Sequence, residues 1–246
     1  MRVRRLALVV GGALAVCAVA AAVVLVLRGG ETTNKPKTAR RPSAKLEHPR
    51  GLAARVPVGE TIALRTNPGG RVLARVASRT EFGSAQTLAV AERKGEWVAV
   101  RSPALGNKRL GWVDARRLRL LRRPLSLEVD LSRRELRVRD RGRIERRISV
   151  AVGAPGTPTP PGEFYVTDKL RGADFGPYYG CCILALSGRQ PNLPRGWSGG
   201  DRLAIHGSPT PTWGHAVSNG CLHADERDLR YLMKSIPLGT PVVIHA

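Results

Sequence analysis

The sequence has few cysteine, aromatic and acidic residues, and each shortage excludes a class of protein. Its 246 residues include 4 cysteines, too few for a disulfide framework in a chain of this length. Aromatic residues make up only 4% of the chain, and no recognisable nucleic-acid-binding module is present, so no nucleic-acid partner is expected. No Cys-x-x-Cys pair or His-Glu-x-x-His segment occurs, so the common zinc patterns are incomplete and no metal is expected.

The shortage of acidic residues leaves the chain strongly basic. It has 41 Lys and Arg against 19 Asp and Glu, a formal net charge of +22. Such a charge either reflects solvated arginine-rich faces or attracts an anionic polymer or membrane surface. Apolar residues make up 42% of the chain, a content typical of folded domains rather than of disorder.

The N-terminus predicts a membrane anchor. Residues 6–27 form an apolar run long enough to cross a bilayer as a helix. Arg2, Arg4 and Arg5 precede it, which favours a cytoplasmic N-terminus with the remainder of the chain outside. We therefore expect a cytoplasmic stub and a transmembrane signal anchor over residues 1–28.

Two other interpretations of this segment remain open. Ala18-Val19-Ala20 has the small-x-small pattern of a signal cleavage site, although apolar residues continue beyond it. Cys17 is the lipoprotein alternative, but Val16 before it fits a lipobox poorly. Beyond the run, residues 29–55 are rich in Lys, Arg and Pro, which predicts an extended, solvated linker.

Short alternating segments between residues 56 and 122 predict a first folded domain. Turn residues separate these segments, a pattern typical of a small antiparallel barrel or sandwich. The run Gly95-Glu96-Trp97-Val98-Ala99-Val100, followed by Gly111-Trp112-Val113, resembles a bacterial SH3-like domain. That resemblance implies a module that attaches an enzyme to the cell wall, and we expect it over residues 56–122.

The segments Ile205-His206-Gly207-Ser208 and Ser218-Asn219-Gly220-Cys221-Leu222-His223 contain the parts of a cysteine-nucleophile site. A catalytic thiol needs a nearby imidazole to remove its proton. It also needs backbone N–H groups directed at the developing oxyanion, which a tight Gly-Cys turn can provide. Core packing is the usual role of a single Cys or His, and the combination argues against it here.

These two segments resemble the signature of the L,D-transpeptidase (YkuD-type) catalytic domain. Val150-Ala151-Val152-Gly153, then the stretch from Thr157 to Phe164, and finally Leu238–Ile244 match further segments of that family in order. The resemblance covers residues 124–246 and implies a mainly β fold, a β-sandwich with one or more short helices. Asn219 stands where the family usually has histidine.

The resemblance also assigns roles. Cys221 would be the nucleophile, and His206 its general base or ion-pair partner, with the Gly207 carbonyl orienting the imidazole. Backbone amides around Gly220 and Cys221 are the oxyanion-hole candidates. The remaining residues assigned to substrate binding or turn formation are Ser208, Ser218, Asn219 and His223.

The function implied is a membrane-anchored peptidoglycan L,D-transpeptidase that needs no cofactor. It would use stem peptides as substrates, work on the extracytoplasmic side of a single-pass anchor, and be acylated by carbapenems. Anionic wall polymers or the membrane surface are further partners consistent with the charge. The alternative is a non-catalytic or weakly hydrolytic cell-wall-binding protein with a degenerate catalytic domain.

Three further features have local explanations. Cys181 and Cys182 are adjacent, and since vicinal disulfides are rare we expect small buried residues or one half of a labile bridge. Metal binding by Cys221 and His223, with His206, His215 and Asp225 nearby in sequence, stays a minor alternative. One helix is expected after Asp225, which can cap it, with an apolar stripe formed by Leu229, Leu232 and Met233.

Overall fold

The computed structural model describes residues 46–246. The predicted anchor over residues 1–28 and most of the predicted linker lie outside this range and stay predictions. Within residues 46–246, no helix is long and apolar enough to cross a membrane. The described residues are mainly β-strand with a single α-helix among them, as the sequence predicts.

The N-terminal sheet is antiparallel and has eight strands. They are β1 (Leu46–Glu47), β2 (Leu52–Arg55), β3 (Thr61–Arg65), β4 (Val72–Ala77), β5 (Thr87–Lys94), β6 (Trp97–Arg101), β7 (Leu110–Asp114) and β8 (Arg119–Arg122). Their order is β4-β3-β7-β6-β5-β2-β8, and β1 pairs with β5. Alternation of apolar and polar residues produces a buried face, which in β3 consists of Ile62 and Leu64.

Residue 56 is not the start of this sheet. Strands β1 and β2 precede it, so the linker boundary predicted at residue 55 is wrong. The reason is that Ala53 and Ala54 are completely buried between β5 and β8, although Arg50 and Arg55 lie close to them in sequence. Small apolar residues flanked by arginines show no clear alternation of apolar and polar positions. Strand β2 was therefore not predicted from the sequence. The SH3-like character of the sheet stays a prediction.

The C-terminal sheet also has eight strands, in the order β11-β10-β9-β18-β13-β14-β15-β17. Most neighbours are antiparallel, whereas β9 with β18 and β15 with β17 are parallel. A separate parallel pair joins β12 and β16. The strands are β9 (Leu125–Asp130), β10 (Glu135–Asp140), β11 (Arg143–Ser149), β12 (Val152–Gly153), β13 (Gly162–Arg171), β14 (Cys182–Arg189), β15 (Arg202–His206), β16 (Ala216–Ser218), β17 (Leu222–His223) and β18 (Pro241–His245).

Helix α1 (Glu226–Ser235) begins and packs as predicted. The Asp225 side chain accepts a hydrogen bond from the Asp228 backbone N–H at 2.9 Å and thereby caps the first turn. Leu229 and Leu232 are fully buried, and Met233 packs at the edge of the same apolar cluster. The helix therefore closes one side of the C-terminal core next to β14.

The two sheets share part of their core. Tyr165 on β13 is fully buried, and it packs in the apolar cluster of the N-terminal sheet rather than in its own. Its hydroxyl has no hydrogen-bond partner, and burial raises its pKa above the usual range. Asn107 and Arg189 add reciprocal hydrogen bonds of 2.7 and 2.8 Å between the two halves. The described residues consequently belong to one compact unit.

Cys181 and Cys182 are joined to each other by a disulfide, which corrects the expectation that they would not pair. Consecutive side chains within a strand point to opposite faces. Cys181, however, lies in the turn before β14 and only Cys182 belongs to the strand. The change of direction at this turn is what allows the two sulfurs to meet.

Candidate active site

The predicted catalytic histidine ends strand β15, and the predicted nucleophile directly precedes the adjacent parallel strand β17. In the pairing of β15 with β17, Ile205 is opposite Leu222 and His206 is opposite His223. Cys221 directly precedes β17, and the alternation of side chains, extended by one residue, assigns it the face of His223 and His206. The topology thus brings together side chains that the sequence separates by a long loop.

The backbone fixes the orientation of the His206 imidazole. Its Nδ1 atom lies 2.6 Å from the Gly207 carbonyl oxygen, the contact anticipated for that carbonyl. Since a carbonyl oxygen can only accept, Nδ1 carries the hydrogen and Nε2 keeps its lone pair. His206 is 7% exposed, and its ring contacts the rings of Tyr179 and His223, whose centroids are 4.9 and 4.6 Å away. This tautomer and this packing suit a general base.

The same surroundings keep His206 neutral. Burial lowers its pKa to about 4, the neighbouring His223 adds to the decrease, and the Gly207 carbonyl opposes it. Burial also lowers the pKa of His223, whose Nδ1 atom lies 3.0 Å from Thr212 Oγ1. At neutral pH, Nε2 of His206 is therefore available to receive a proton.

The thiol of Cys221 is also neutral in this structure. Burial raises its pKa to about 11, and a backbone hydrogen bond from Ala204 opposes the increase. Its Sγ atom lies 3.8 Å from the Arg202 carbonyl oxygen, to which the S–H group donates. A neutral thiol beside a neutral imidazole is not an ion pair. Of the two roles left open for His206, these pKa directions favour general base.

The turn that carries Cys221 is held by Ser218. The Ser218 hydroxyl donates to the Cys221 carbonyl at 2.6 Å and accepts from the Gly220 N–H at 3.0 Å. This second bond corrects one prediction, because the Gly220 N–H is already engaged and is not available to an oxyanion. The Cys221 amide remains the candidate donor. Ser218 has the turn-forming position expected of it.

Gln190 ties this turn to the preceding loop, and sequence reasoning missed it. Its Nε2 atom lies 3.2 Å from the Thr157 carbonyl, 2.9 Å from the Pro158 carbonyl and 3.2 Å from the Asn219 carbonyl. The side chain is 5% exposed. No motif surrounds Gln190, so only its three-dimensional position reveals this role.

Two threonines complete the support of the nucleophile turn. Thr157 Oγ1 donates to the Ser218 carbonyl and Thr159 Oγ1 to the Gly220 carbonyl, each at 2.9 Å. The Gly153 N–H in turn donates to Thr159 Oγ1 at 2.8 Å. The matched Thr157–Phe164 stretch therefore supports the turn without itself reacting. The match of this stretch to the family indicated that it matters, but it did not indicate that its threonines hold the turn.

Asn219 and Ser208 lie at the periphery of the site. Asn219 is exposed, and its Oδ1 atom is 3.4 Å from Thr157 Oγ1, the outer limit of a hydrogen bond. Ser208 is half-buried directly after Gly207. Their assignment to substrate binding stays a prediction.

A short segment, residues 172–180 and here called the aromatic flap, packs against His206 and Gly207. The Gly207 N–H donates to the Tyr179 carbonyl at 2.9 Å. A Cβ atom at Gly207 would lie 2.7 Å from Gly180 Cα, so only glycine permits this approach. The flap thus contacts His206 through the Tyr179 ring and Gly207 through the backbone.

Within residues 46–246, no group of three or more His, Cys, Asp or Glu side chains is arranged to hold a metal ion. The His206 and His223 rings contact each other at a tilt of 46°, and their Nδ1 atoms contact Gly207 and Thr212 respectively. A thiol, an imidazole and a backbone amide in one region are the groups that covalent catalysis by cysteine requires.

Comparison with known proteins finds relatives of the C-terminal half. Residues 124–244 match the family model of the L,D-transpeptidase (YkuD) catalytic domain. The chain is 34% identical to the YkuD protein of Bacillus licheniformis over 124 residues, which covers 49% of this chain and 66% of that one. It is 31% identical to YkuD of Bacillus subtilis over 125 residues, which covers 50% and 66%. The chain spans just under two thirds of these relatives.

A solved structure of L,D-transpeptidase 3 from Mycobacterium tuberculosis is also similar. It is 16% identical to this chain, with a TM-score of 0.41, and the match covers 65% of this chain and 93% of that one.

Proposed function

We propose that residues 124–244, which match the YkuD family model, form an L,D-transpeptidase catalytic domain that cross-links peptidoglycan stem peptides through a thioester on Cys221. The observation that supports the proposal is the register of β15 and β17, in which His206 is opposite His223 and Cys221 directly precedes β17. The bond from His206 Nδ1 to the Gly207 carbonyl supports it, because Nε2 then keeps its lone pair.

The first half-reaction acylates Cys221. Its Sγ atom attacks the carbonyl carbon of an L,D-amide in the donor stem while the S–H proton passes to His206 Nε2. The Cys221 backbone N–H stabilises the oxyanion of the tetrahedral intermediate. The C–N bond then breaks, the terminal D-alanine leaves with the proton from His206, and a thioester remains.

The second half-reaction transfers the acyl group. An amine of a neighbouring stem attacks the thioester carbonyl and loses its proton to His206, and the C–S bond breaks. The sulfur leaves as thiolate and recovers the proton from His206. The amide bond of the donor supplies the energy, so no ATP and no cofactor are required.

The pKa order of the two groups shapes the first step. With the thiol pKa near 11 and the imidazole pKa near 4, very little thiolate is present before substrate binds. These pKa directions favour proton transfer that accompanies attack over transfer that precedes it. This restrains the thiol from reacting with solutes that do not bind next to His206.

The raised thiol pKa also favours a second candidate function. A wall-binding protein with a degenerate, weakly hydrolytic domain would need no activated thiol, and Asn219 replaces the usual histidine. For either function, we also propose an extracytoplasmic location and a single-pass anchor, on the basis of residues 1–28.

Intact-mass analysis separates the two candidates. Full-length protein in detergent is incubated with a tetrapeptide-stem donor and acceptor, and separately with a carbapenem. The proposed function requires cross-linked product and a carbapenem adduct that peptide mapping places on Cys221. Cys221→Ala must lose both while retaining the circular-dichroism spectrum of the fold. An adduct on another cysteine, or hydrolysed stems without cross-links, would reject the transpeptidase proposal.

A further inference from the structure

A loop of the N-terminal sheet reaches the active-site half of the molecule. It connects β4 to β5 and is here called the Glu81 loop, residues 78–85. The Thr80 hydroxyl donates to Asp168, a fully buried carboxylate on β13. The next two residues, Glu81 and Phe82, each contact side chains that support the catalytic pair.

The first path leads from Glu81 to Cys221 through Arg202. The Arg202 guanidinium pairs with the Glu81 carboxylate, and its Nε and Nη2 atoms donate to the Leu186 carbonyl at 3.1 and 2.8 Å. Nη2 also donates to Thr167 Oγ1 at 2.9 Å. The backbone carbonyl of this same residue lies against the thiol. The contacts of the guanidinium therefore restrict where the acceptor of the thiol can lie.

The second path leads from Phe82 to His206 through the aromatic flap. The ring centroids of Phe82 and Phe175 are 5.9 Å apart, and those of Phe175 and Tyr179 are 6.2 Å apart, both nearly edge-on. Tyr179 in turn packs on the imidazole of His206. Such edge-to-face pairs are favourable and directional, so each ring limits the orientation of the next.

Phe82 also connects the two paths, because its ring lies 5.9 Å from the Arg202 guanidinium. We propose that Glu81 and Phe82 are positioning residues for the catalytic pair, and that the N-terminal half helps to form the active site in addition to any role in attachment. This inference rests on the proposed function for its catalytic readout only.

The Glu81–Arg202 ion pair is suited to a geometric role. Glu81 is half exposed, and a pair of this kind adds little to folding stability. Its removal leaves Arg202 with its backbone and hydroxyl acceptors but without the carboxylate. The fold is then expected to persist while the thiol and its acceptor carbonyl lose their relative placement.

The experiment compares Glu81→Gln, Phe82→Ala and Phe82→Tyr with a matched control, Glu163→Gln. Glu163 pairs with Arg101 across the same boundary between the two halves, and neither residue contacts Arg202 or the flap. Two readouts are taken on the full-length protein: kcat and KM for cross-linking, and the pH dependence of Cys221 alkylation by iodoacetamide followed by peptide mass. Alkylation reports on the thiol whether or not the protein transfers stems.

For Phe82→Ala and Glu81→Gln we expect kcat to fall about tenfold or more with little change in KM, as misplaced catalytic groups produce. The midpoint of Cys221 alkylation should move to lower pH, because the thiol loses a well-placed acceptor. Phe82→Tyr keeps the ring and should restore both readouts, and Glu163→Gln should match the wild type. If no protein cross-links stems but the alkylation shift occurs, the proposed function fails and the positioning role stands.

Two outcomes would overturn the inference. One is an alkylation profile for Phe82→Ala and Glu81→Gln that coincides with that of the wild type. The other is an equal loss in Glu163→Gln, which would mean that any loosening between the halves suffices and that the Glu81 loop has no special role.

Discussion

The side-chain amide of Gln190 occupies the space that a side chain on Gly220 would need. A Cβ atom at Gly220 would lie 2.0 Å from Gln190 Nε2, and Gly220 has a φ of +107°. Gln190 cannot move aside without breaking its bonds to the carbonyls that surround the turn. Glycine directly before the nucleophile is therefore required twice, by its backbone conformation and by its neighbour.

This relationship predicts that Gly220→Ala destabilises the protein more than a control glycine does. Gly214 has a φ of +81°, but a Cβ there would meet only Ser149 Oγ, at 3.6 Å. Both substitutions incur backbone strain, and only Gly220→Ala also disrupts hydrogen bonds, so its free energy of unfolding should fall by about 1–3 kcal/mol more. Urea denaturation measures the difference.

A double-mutant cycle tests the assigned cause. In a Gln190→Ala background the additional cost of Gly220→Ala should largely disappear, because the obstructing amide is gone. Equal costs for Gly220→Ala in both backgrounds would show that Gln190 does not determine it.

His206 predicts an unusually acidic limit to the pH–rate profile. The base must be unprotonated, and since burial lowers the pKa of His206 to about 4, acylation should persist as the pH falls below the ordinary histidine value of 6.5 and decline near pH 4. Carbapenem acylation rates between about pH 3.5 and 8 measure this. A decline centred near pH 6.5 would contradict the burial of the imidazole.

The same assignment predicts the effect of replacing the imidazole. His206→Gln should slow acylation on the order of a hundredfold or more, as loss of a general base typically does. His215→Gln provides the control, because His215 is an exposed imidazole near the same site. Near-normal acylation by His206→Gln would move the base to His223 or His215.

We expect the protein to tolerate histidine at position 219, where the family usually has it. Its side chain is exposed and its one contact, with Thr157 Oγ1, is long. Asn219→His should therefore leave kcat/KM within about tenfold or increase it, a change of roughly 1.4 kcal/mol or less in the barrier. A loss of more than about a hundredfold would show that asparagine has acquired a specific role here.

The charge of the chain predicts salt-sensitive binding to anionic wall material. A protein with a formal charge of +22 should be retained electrostatically, and exposed charges are screened beyond about 10 Å at 0.1 M salt. Residues 28–246 are incubated with purified wall material across a salt series. Binding that does not weaken as salt rises would instead indicate a specific pocket for glycan or peptide.

Sequencing the N-terminus of protein recovered from cells tests the anchor separately. The retained anchor predicts that residues 6–27 are still present. An N-terminal residue beyond Ala20 would mean that the segment is a cleaved signal peptide.

The parts of the site that the sequence predicts are those that depend on short-range pattern. His206, Gly207 and Cys221 lie in two short segments that resemble the L,D-transpeptidase signature, and the turn at Gly220 is marked by glycine itself. Helix α1 was also predictable, because its cap and its apolar stripe are local features. In each case the residues that define the element lie within a few positions of one another.

The parts that the sequence does not predict depend on distant contacts. Glu81 and Arg202 are separated by 121 positions, and neither has a neighbour that marks it as one of a pair. No sequence motif marks Gln190, and its side-chain amide reaches the Asn219 carbonyl only in the folded chain. The disulfide between Cys181 and Cys182 was not predicted. Cys181 lies in a turn and only Cys182 lies in a strand, so the alternation of side chains along a strand does not apply to this pair.

The burial of Tyr165 in the core of the other half has a consequence for cooperativity. A chain whose halves share an aromatic side chain cannot unfold one half without exposing apolar surface of the other. Heating or denaturant should therefore produce a single transition for residues 46–246, with both halves losing protection from hydrogen exchange together. A catalytic fragment cut at residue 124 would leave this ring in water and should be prone to aggregate.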